Sequence, residues 1–340
     1  MIRPRPRTPK HRRHRNRSRV SVSHRCCRVA LALLLSSGCA STPSRPNARL
    51  PQALPTELAA YYEYPEHARQ STQRLVKERQ NFREFLVQFP FSTPGFEPTE
   101  PVVEFEWMES KKPGRRAAIL VNPILGGDYP LERAICRAFA EQGFHVALIH
   151  RKTLKISPEH DLSHLELLLR QGILRIRQVV DWMTAQPQVD PQRIGSFGIS
   201  MGGMASVIAA AVEPRLRVHV IALAGGSLPE ILITSKDRLL TKPRRRYLAA
   251  HHMELEVLRR LLQEHVKTDP LLMAPYVDPQ RLFMFIALSD RTIGRANALR
   301  LWRALDHPRA VFLPTGHYTT YLLLPYLKYE SLRFFADRLK

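Results

Sequence analysis

The segment RIGSFGISMGG, residues 193–203, is the most informative stretch of this 340-residue chain. Residues 194–199 are apolar or small, which predicts a buried strand, and the small and apolar residues 201–212 predict a helix. Between the two lies the pattern G-x-S-x-G, with Ser200 flanked by Gly198 and Gly202. A strand, a tight turn and a helix in this order place the serine hydroxyl on a strained turn at the end of the strand. Ser200 is therefore a candidate nucleophile.

Alternating strands and helices surround this segment. Apolar runs predict strands at 102–107, 117–121, 144–149, 217–224, 281–288 and 310–313, and helical spacing predicts helices at 130–142, 162–186, 295–305 and 320–339. Continuous apolar strands separated by helices predict an α/β fold, with a mostly parallel twisted sheet and helices on both faces. Residues 228–275 are too long for an ordinary crossover and have a helical pattern, so we expect a helical cap inserted between late strands.

A base and an acid that could activate Ser200 follow it in the chain. His317 lies in the loop PTGHY directly after the last predicted strand, and Asp290 ends the strand before that. In an open parallel sheet the carboxyl ends of the strands form the site crevice, so all three side chains are expected at one edge. The remaining candidates fit less well, because they fall on the predicted cap helices (His251, His252, His265), precede Ser200 or lie in a strand (His145, His150, His219), or occupy turns (Asp278, Asp306).

Backbone N–H groups near Ser200 could stabilise a developing oxyanion. Met201 would begin the helix, where its N–H has no intrahelical acceptor. A second donor is expected from the loop at 122–127 after the strand at 117–121. Pro123 has no N–H, so the donor there would be Ile124 or Leu125.

These residues together resemble the α/β-hydrolase superfamily, with the double glycine of GISMGG similar to its dienelactone-hydrolase, prolyl-oligopeptidase and acetyl-esterase branches. The resemblance covers residues 100–340. It implies an eight-stranded sheet, a Ser200–His317–Asp290 triad and an acyl-enzyme mechanism without a cofactor or metal. Two positions depart from the common pattern: Asn122-Pro123 stands where many members have His-Gly, and Ser289 stands where a glycine often precedes the acid.

The resemblance implies a serine hydrolase, and a small carboxylic ester is the first expectation for its substrate. Peptide or amide cleavage and acyl transfer use the same triad and stay open. A non-catalytic, envelope-anchored binding scaffold is the rival from another class. Loss of a triad residue would mark that rival, and none is lost.

The first 38 residues have the composition of an export signal. Residues 1–28 carry 11 of the 52 Lys and Arg residues and no acid, and residues 29–35 form an apolar run far too short to span a bilayer. The stretch from Val20 onward would be an ordinary signal by itself, which favours a translation start there and makes residues 1–19 an artefact. The basic run contains no aromatic residue to stack on a base, so export is favoured over nucleic-acid binding.

The segment LLLSSGCA resembles a bacterial lipoprotein signal and implies a lipid anchor on Cys39, facing the periplasm from an envelope membrane. Ser36 stands where that pattern prefers an aliphatic residue, so secretion with cleavage nearby stays open. Removing the 11 positive charges of the signal from the net charge of +22 leaves a mature charge of +11, which suits an anionic surface.

Between the signal and the α/β domain at 101–340, two further segments are expected. Residues 39–56 are rich in Pro, Ser and Thr and predict a tether. Residues 57–100 have apolar residues at helical spacing and predict an N-terminal helical extension. Cys136 would be the single free thiol of a lipidated mature chain, and its helical, apolar surroundings predict a buried core residue.

Overall fold

A computed structural model of the chain describes residues 40–45, 48–65, 70–93, 96–126, 128–151 and 156–339. In this part, ten strands form one sheet in the order β1-β10-β9-β8-β7-β5-β6-β4-β3-β2. The strands are β1 Ala40–Thr42, β2 Thr72–Glu78, β3 Phe82–Pro90, β4 Val102–Ser110, β5 Arg116–Asn122, β6 His145–Ile149, β7 Val189–Ile199, β8 Leu216–Ala222, β9 Leu282–Ala287 and β10 Arg309–Leu313. Strands β5 to β10 run parallel.

Ten helices accompany the sheet in the described residues: α1 Thr56–Tyr61, α2 Pro130–Glu141, α3 Leu162–Thr184, α4 Met201–Val212, α5 Leu228–Thr234, α6 Arg238–Ala250, α7 Leu255–His265, α8 Pro270–Met273, α9 Arg295–Ala304 and α10 Leu324–Arg338. Short 3₁₀ turns add Ala274–Tyr276, Pro279–Arg281 and Thr319–Leu323. None of these helices combines the length and apolarity needed to cross a bilayer.

Both faces of the sheet are covered, as the continuous apolar strands predicted. On one face, Phe139 of α2 packs edge-on against Phe197 of β7 and Phe335 of α10, with ring centroids 5.5 and 5.6 Å apart. On the other, Trp182 of α3 packs against Trp107 of β4 at 5.1 Å, and both indoles are almost fully buried. The α/β fold with a mostly parallel sheet is therefore confirmed.

The number of strands differs from the eight that the resemblance implies. The two additional strands are β1 and β2, which lie at opposite edges of the sheet. β1 pairs antiparallel with β10, so the predicted tether at 39–56 is wrong at its start: residues 40–42 belong to the sheet. Main-chain hydrogen bonds to the neighbouring strand β10 explain why this Ser/Thr-containing segment forms a strand and not a tether.

The expected helical extension at 57–100 is also wrong. Only α1 is helical there, and β2 and β3 form an antiparallel hairpin that continues into β4. In β3, Phe82, Val87 and Phe89 are buried, and the flanking Arg83 and Gln88 are exposed. The helical spacing is that of Phe82, Phe85, Leu86 and Phe89, but pairing with β4 makes this segment a strand.

The insertion between β8 and β9 is helical, as expected, and consists of α5 to α8. Within this insertion, Leu258 and Leu262 of α7 are fully buried. Residues 40–340 form one compact unit that contains every described strand and both packed faces, so this part of the chain has a complete core of its own. The predicted export signal and Cys39 lie outside the described residues.

Candidate active site

Ser200 lies on a strained turn between β7 and α4. Its φ of 56° and ψ of −120° are unusual for a residue with a side chain, and its N–H donates to the carbonyl of Ala222 at 2.8 Å. A Cβ on Gly198 would lie 2.1 Å from the carbonyl oxygen of Gly202, and one on Gly202 would lie 2.1 Å from that of Asn122. Both glycines are thus required by close backbone contacts, as the G-x-S-x-G pattern predicted.

His317 and Asp290 are in direct contact. Nδ1 of His317 lies 2.7 Å from Oδ2 of Asp290, and both side chains are almost fully buried. The other carboxylate oxygen, Oδ1, accepts the N–H groups of Thr292 and Ile293 at 2.8 and 2.9 Å. These bonds fix the carboxylate and, through it, the orientation of the imidazole.

Ser200 and His317 face one cavity of about 250 Å³. Ser200 Oγ forms no hydrogen bond to the imidazole in the described part of the chain, which is common in the absence of substrate. The structure therefore brings all three predicted residues to one place. Among the described residues, His317 forms a hydrogen bond with Asp290 but not with Ser200. Their catalytic roles stay predictions.

The cavity wall is largely apolar and comes from both the sheet and the cap. Met201 and Met204 of α4 line it together with Ser200. Helices α5 and α6 of the cap supply the apolar side chains of Leu228, Ile231, Leu232, Leu239, Leu240 and Pro243. A second cavity of about 50 Å³ shares part of this wall. Both cavities are lined by Met201, Met204 and Leu228.

The expected oxyanion donors differ in their surroundings. Met201 begins α4, so its N–H has no acceptor within the helix. The N–H of Ile124 donates to Oε1 of Glu132 at 2.8 Å, which occupies one of the two alternatives for the second donor. The N–H of Leu125 has no acceptor among the described residues. Gly127 of this predicted loop lies outside them.

The side chains of Glu132 and Arg151 hold the loop that carries the N–H groups of Ile124 and Leu125. Glu132 is 1% exposed, and its second oxygen, Oε2, has no hydrogen-bond partner in the described residues. Nη2 of Arg151 donates to the carbonyls of Pro123 and Ile124 at 3.2 and 2.7 Å, and burial lowers the pKa of this guanidinium. Glu132 thus holds the loop at the N–H of Ile124, and Arg151 holds it at the carbonyls of Pro123 and Ile124.

Two acetyl xylan esterases are similar to this chain over most of its length. The enzyme from Paenibacillus sp. R4 matches with a TM-score of 0.63 and 17% identity, over 83% of this chain and 92% of its own. Acetyl xylan esterase 1 from Thermoanaerobacterium sp. JW/SL YS485 matches with a TM-score of 0.60 and 17% identity, over 82% and 94%. The chain has the α/β-hydrolase fold.

Two sequence comparisons match shorter regions of the chain. Residues 165–271 match the family described as X-Pro dipeptidyl-peptidase (S15 family). An uncharacterised protein of Mycobacterium tuberculosis is 26% identical over 149 residues, which is 43% of this chain. The matched region spans about a third of that relative's length. The family match, on an α/β-hydrolase fold, supports a hydrolase.

Asp237 and Tyr318 also line the cavity, and the sequence did not reveal them as site residues. Asp237 caps α6 by accepting the N–H of Leu239, and its Oδ2 also accepts the hydroxyls of Tyr318 and Thr292 at 2.5 and 2.9 Å. Burial raises the pKa of Asp237, but these hydrogen bonds outweigh it and leave the pKa below its ordinary value. The hydrogen bonds of Asp237 with Tyr318 and Thr292 join the cap to the loops of His317 and Asp290. Only the helix-capping position of Asp237 was visible in the sequence.

The histidines and the cysteine that the sequence set aside have other surroundings. His219 is buried with Nδ1 2.8 Å from Ser196 Oγ, and His145 Nδ1 accepts the N–H of Ser110. The remaining histidine in this group, His150, lies between two glutamates of β4 (Glu104 and Glu106). Cys136 is fully buried, as expected, and burial raises the pKa of its thiol well above the ordinary value.

Proposed function

We propose that this protein is a serine hydrolase that cleaves carboxylic esters with an apolar acyl group of medium length, through an acyl-enzyme on Ser200. The observation that carries the proposal is the shared cavity: Ser200 and the Asp290-bound His317 both face it, and its wall is mostly apolar. The cavity of about 250 Å³ leaves room beside Ser200 for an aliphatic acyl chain.

The proposed reaction follows from the positions of these groups. His317 accepts the proton of Ser200 Oγ as the oxygen attacks the ester carbonyl. Asp290 holds the imidazole through Nδ1 and stabilises its charged form. The N–H groups of Met201 and Leu125 receive the oxyanion, and His317 then protonates the leaving alcohol. Water activated by His317 releases the acid and regenerates Ser200.

Peptide cleavage is the second candidate, because the matched family is described as a dipeptidyl-peptidase. A peptide amino terminus is positively charged, so a site for it favours a free carboxylate. Among the described residues that line the cavity, Asp237 is the acid, and it already accepts three hydrogen bonds. The apolar wall therefore favours an ester with an aliphatic acyl group over a peptide.

We further propose that the mature protein is exported and held to an envelope membrane by a lipid on Cys39. The support is the sequence alone: a basic segment, a short apolar run and small residues before the cysteine. Metabolic labelling of the full chain with a radioactive fatty acid tests this. Label in the wild type but not in Cys39→Ser is expected, and equal labelling of both would contradict it.

Hydrolysis of a matched set of chromogenic substrates tests the proposed activity. Residues 40–340 would be assayed with p-nitrophenyl esters from acetate to dodecanoate and with p-nitroanilides of the same acids, alongside Ser200→Ala. We expect the highest kcat/KM near hexanoate or octanoate, slow anilide cleavage and no activity in the variant. A preference for anilides or for X-Pro peptide substrates would favour the peptidase. No hydrolysis of any substrate would overturn the proposal.

A further inference from the structure

The first strand begins at the carboxyl ends of the parallel strands, which is the side of the sheet that carries the candidate active site. In β1, Ala40 lies opposite Phe312 and Thr42 opposite Ala310, and β1 runs antiparallel to β10. The N-terminal end of β1 is therefore at the carboxyl end of β10, four to five residues before His317. Cys39 directly precedes Ala40 in the sequence.

Three exposed apolar side chains either line the cavity or directly follow a residue that lines it. Leu239 is 59% exposed and Tyr318 is 52% exposed, although both also line the cavity. Leu322, in the 3₁₀ turn that follows His317, is 78% exposed. Single exposed apolar residues are ordinary, but three beside a cavity mouth form a rim that water solvates poorly.

Unpaired cations adjoin this rim. Lys236, Arg238 and Arg291 are exposed and border a shallow depression that also contains His317 and Tyr318. None of the three forms an ion pair with another described residue. Asp237 lies among them, but its carboxylate is turned to Tyr318 and Thr292.

Helix α6 extends the positive surface away from the mouth. Lys242, Arg245 and Arg246 are exposed and follow Leu239 at spacings of three, six and seven residues. Residues 235–246 hold six Lys and Arg residues against one acid. One of them, Arg244, instead donates to the carbonyls that end α5 and is not part of this surface. A helix with an exposed leucine and several exposed cations suits an interface with anionic lipid.

We propose that the rim formed by Leu239, Tyr318 and Leu322, together with Lys236, Arg238 and Arg291, docks on an anionic lipid bilayer. Exposed cations attract anionic headgroups, and the exposed apolar side chains can enter the interface between headgroups and acyl chains. The cavity then opens onto the bilayer. If the proposed function is right, its ester substrates arrive from the membrane rather than from water.

Vesicle flotation of residues 40–340, which lack the lipid, tests the docking surface. The probes are vesicles of phosphatidylcholine alone and vesicles with about a third phosphatidylglycerol. We expect binding to the anionic vesicles and little binding to the neutral ones. Lys236→Gln with Arg238→Gln, and separately Leu322→Ser, should each weaken binding by roughly fivefold or more.

Strand β2 provides matched controls, because it is the outermost strand on the side of the sheet away from β1 and is exposed along its length. Arg74→Gln with Lys77→Gln removes the same charge as the first variant. Leu75→Ser removes an exposed leucine like the second, since Leu75 is 49% exposed. Both control variants should bind anionic vesicles as the wild type does.

The outcome separates docking from catalysis. Equal binding to both kinds of vesicle, or equal losses in the rim and β2 variants, would overturn the docking surface. Hydrolysis of a short soluble ester by the Lys236/Arg238 and Leu322 variants should stay within about twofold of the wild type, because these residues do not line the cavity. The expected binding pattern without any ester hydrolysis would leave the docking surface standing and contradict the proposed function alone.

Discussion

The imidazole of His317 and the carboxylate of Asp290 meet through a 2.7 Å contact between Nδ1 and Oδ2. The other carboxylate oxygen is held by two backbone N–H groups of its own loop. A carboxylate fixed in this way keeps the proton of the neutral imidazole on Nδ1 and turns Nε2 outward as a base. The contact therefore prepares His317 to act on Ser200, which faces the same cavity.

Replacing Asp290 with asparagine should lower kcat for ester hydrolysis by roughly 10³- to 10⁴-fold, because an amide would favour the wrong imidazole tautomer. The asparagine oxygen can still accept the two loop N–H groups, so the fold should persist. Asp278→Asn is the matched control, since Asp278 also accepts an N–H two residues further on but lies in a turn before β9. Steady-state kinetics with circular dichroism would check both variants, and similar kcat values for the two would contradict the role of Asp290.

Glu132 should act as a positioning residue for the loop at 122–126. Glu132→Ala removes the acceptor of the Ile124 N–H and should lower kcat by about tenfold with little change in KM, because the neighbouring Leu125 N–H would lose its orientation. Glu132→Gln keeps an acceptor oxygen and should stay within about threefold of the wild type. If both variants lost activity equally with unchanged melting temperatures, a role for the carboxylate charge would replace this account.

Leu228 should limit the length of the acyl group, because it lies in the wall shared by the two cavities. Leu228→Ala should raise the ratio of kcat/KM for dodecanoate over butyrate by roughly tenfold. Because Leu228 is buried, the same substitution should also lower the free energy of unfolding by about 2–4 kcal/mol. Ile233→Ala is the control, since Ile233 is buried in the same helix but lines neither cavity. The same change of ratio in both variants would show that loosening of the cap, rather than the wall, sets the chain length.

Acid should destabilise the fold through His219. Burial lowers its pKa to about 3, and Arg281 adds to the shift. The histidine of an unfolded chain has a pKa near 6.5, so between these values only the unfolded chain binds the proton. Stability should therefore fall as the pH drops from about 6.5 toward 3, by at most roughly 1.4 kcal/mol per pH unit from this group.

Chemical denaturation at several pH values would measure this contribution. His219→Gln should flatten the acid side of the stability profile, and His251→Gln, at an exposed position, should not. His145, whose pKa burial lowers to about 4, should still contribute a slope in the same direction. An unchanged profile in His219→Gln would contradict the buried, neutral state of this histidine.

The parts of the fold that the sequence predicted well are those with one dominant signal. The strand–turn–helix around Ser200 requires glycines at positions where a Cβ meets backbone, and the helix α3 has 23 residues of regular spacing. The residues of β3 satisfied two periodicities at once, and only the partner strand β4 separates them. Contacts such as Ile124 with Glu132 and Tyr318 with Asp237 join residues whose proximity depends on loop conformation, so no local pattern could indicate them.

Labelling of Ser200 by a fluorophosphonate is the most direct test of the account. Purified residues 40–340 would be treated with the probe and digested, and the modified peptide would be identified by mass spectrometry, with Ser200→Ala and His317→Ala treated in parallel. We predict one adduct on the peptide containing Ser200, none in Ser200→Ala and at least a hundredfold slower labelling in His317→Ala. A folded wild-type protein that is not labelled, or one labelled at the same rate without His317, would contradict an activated serine at this site.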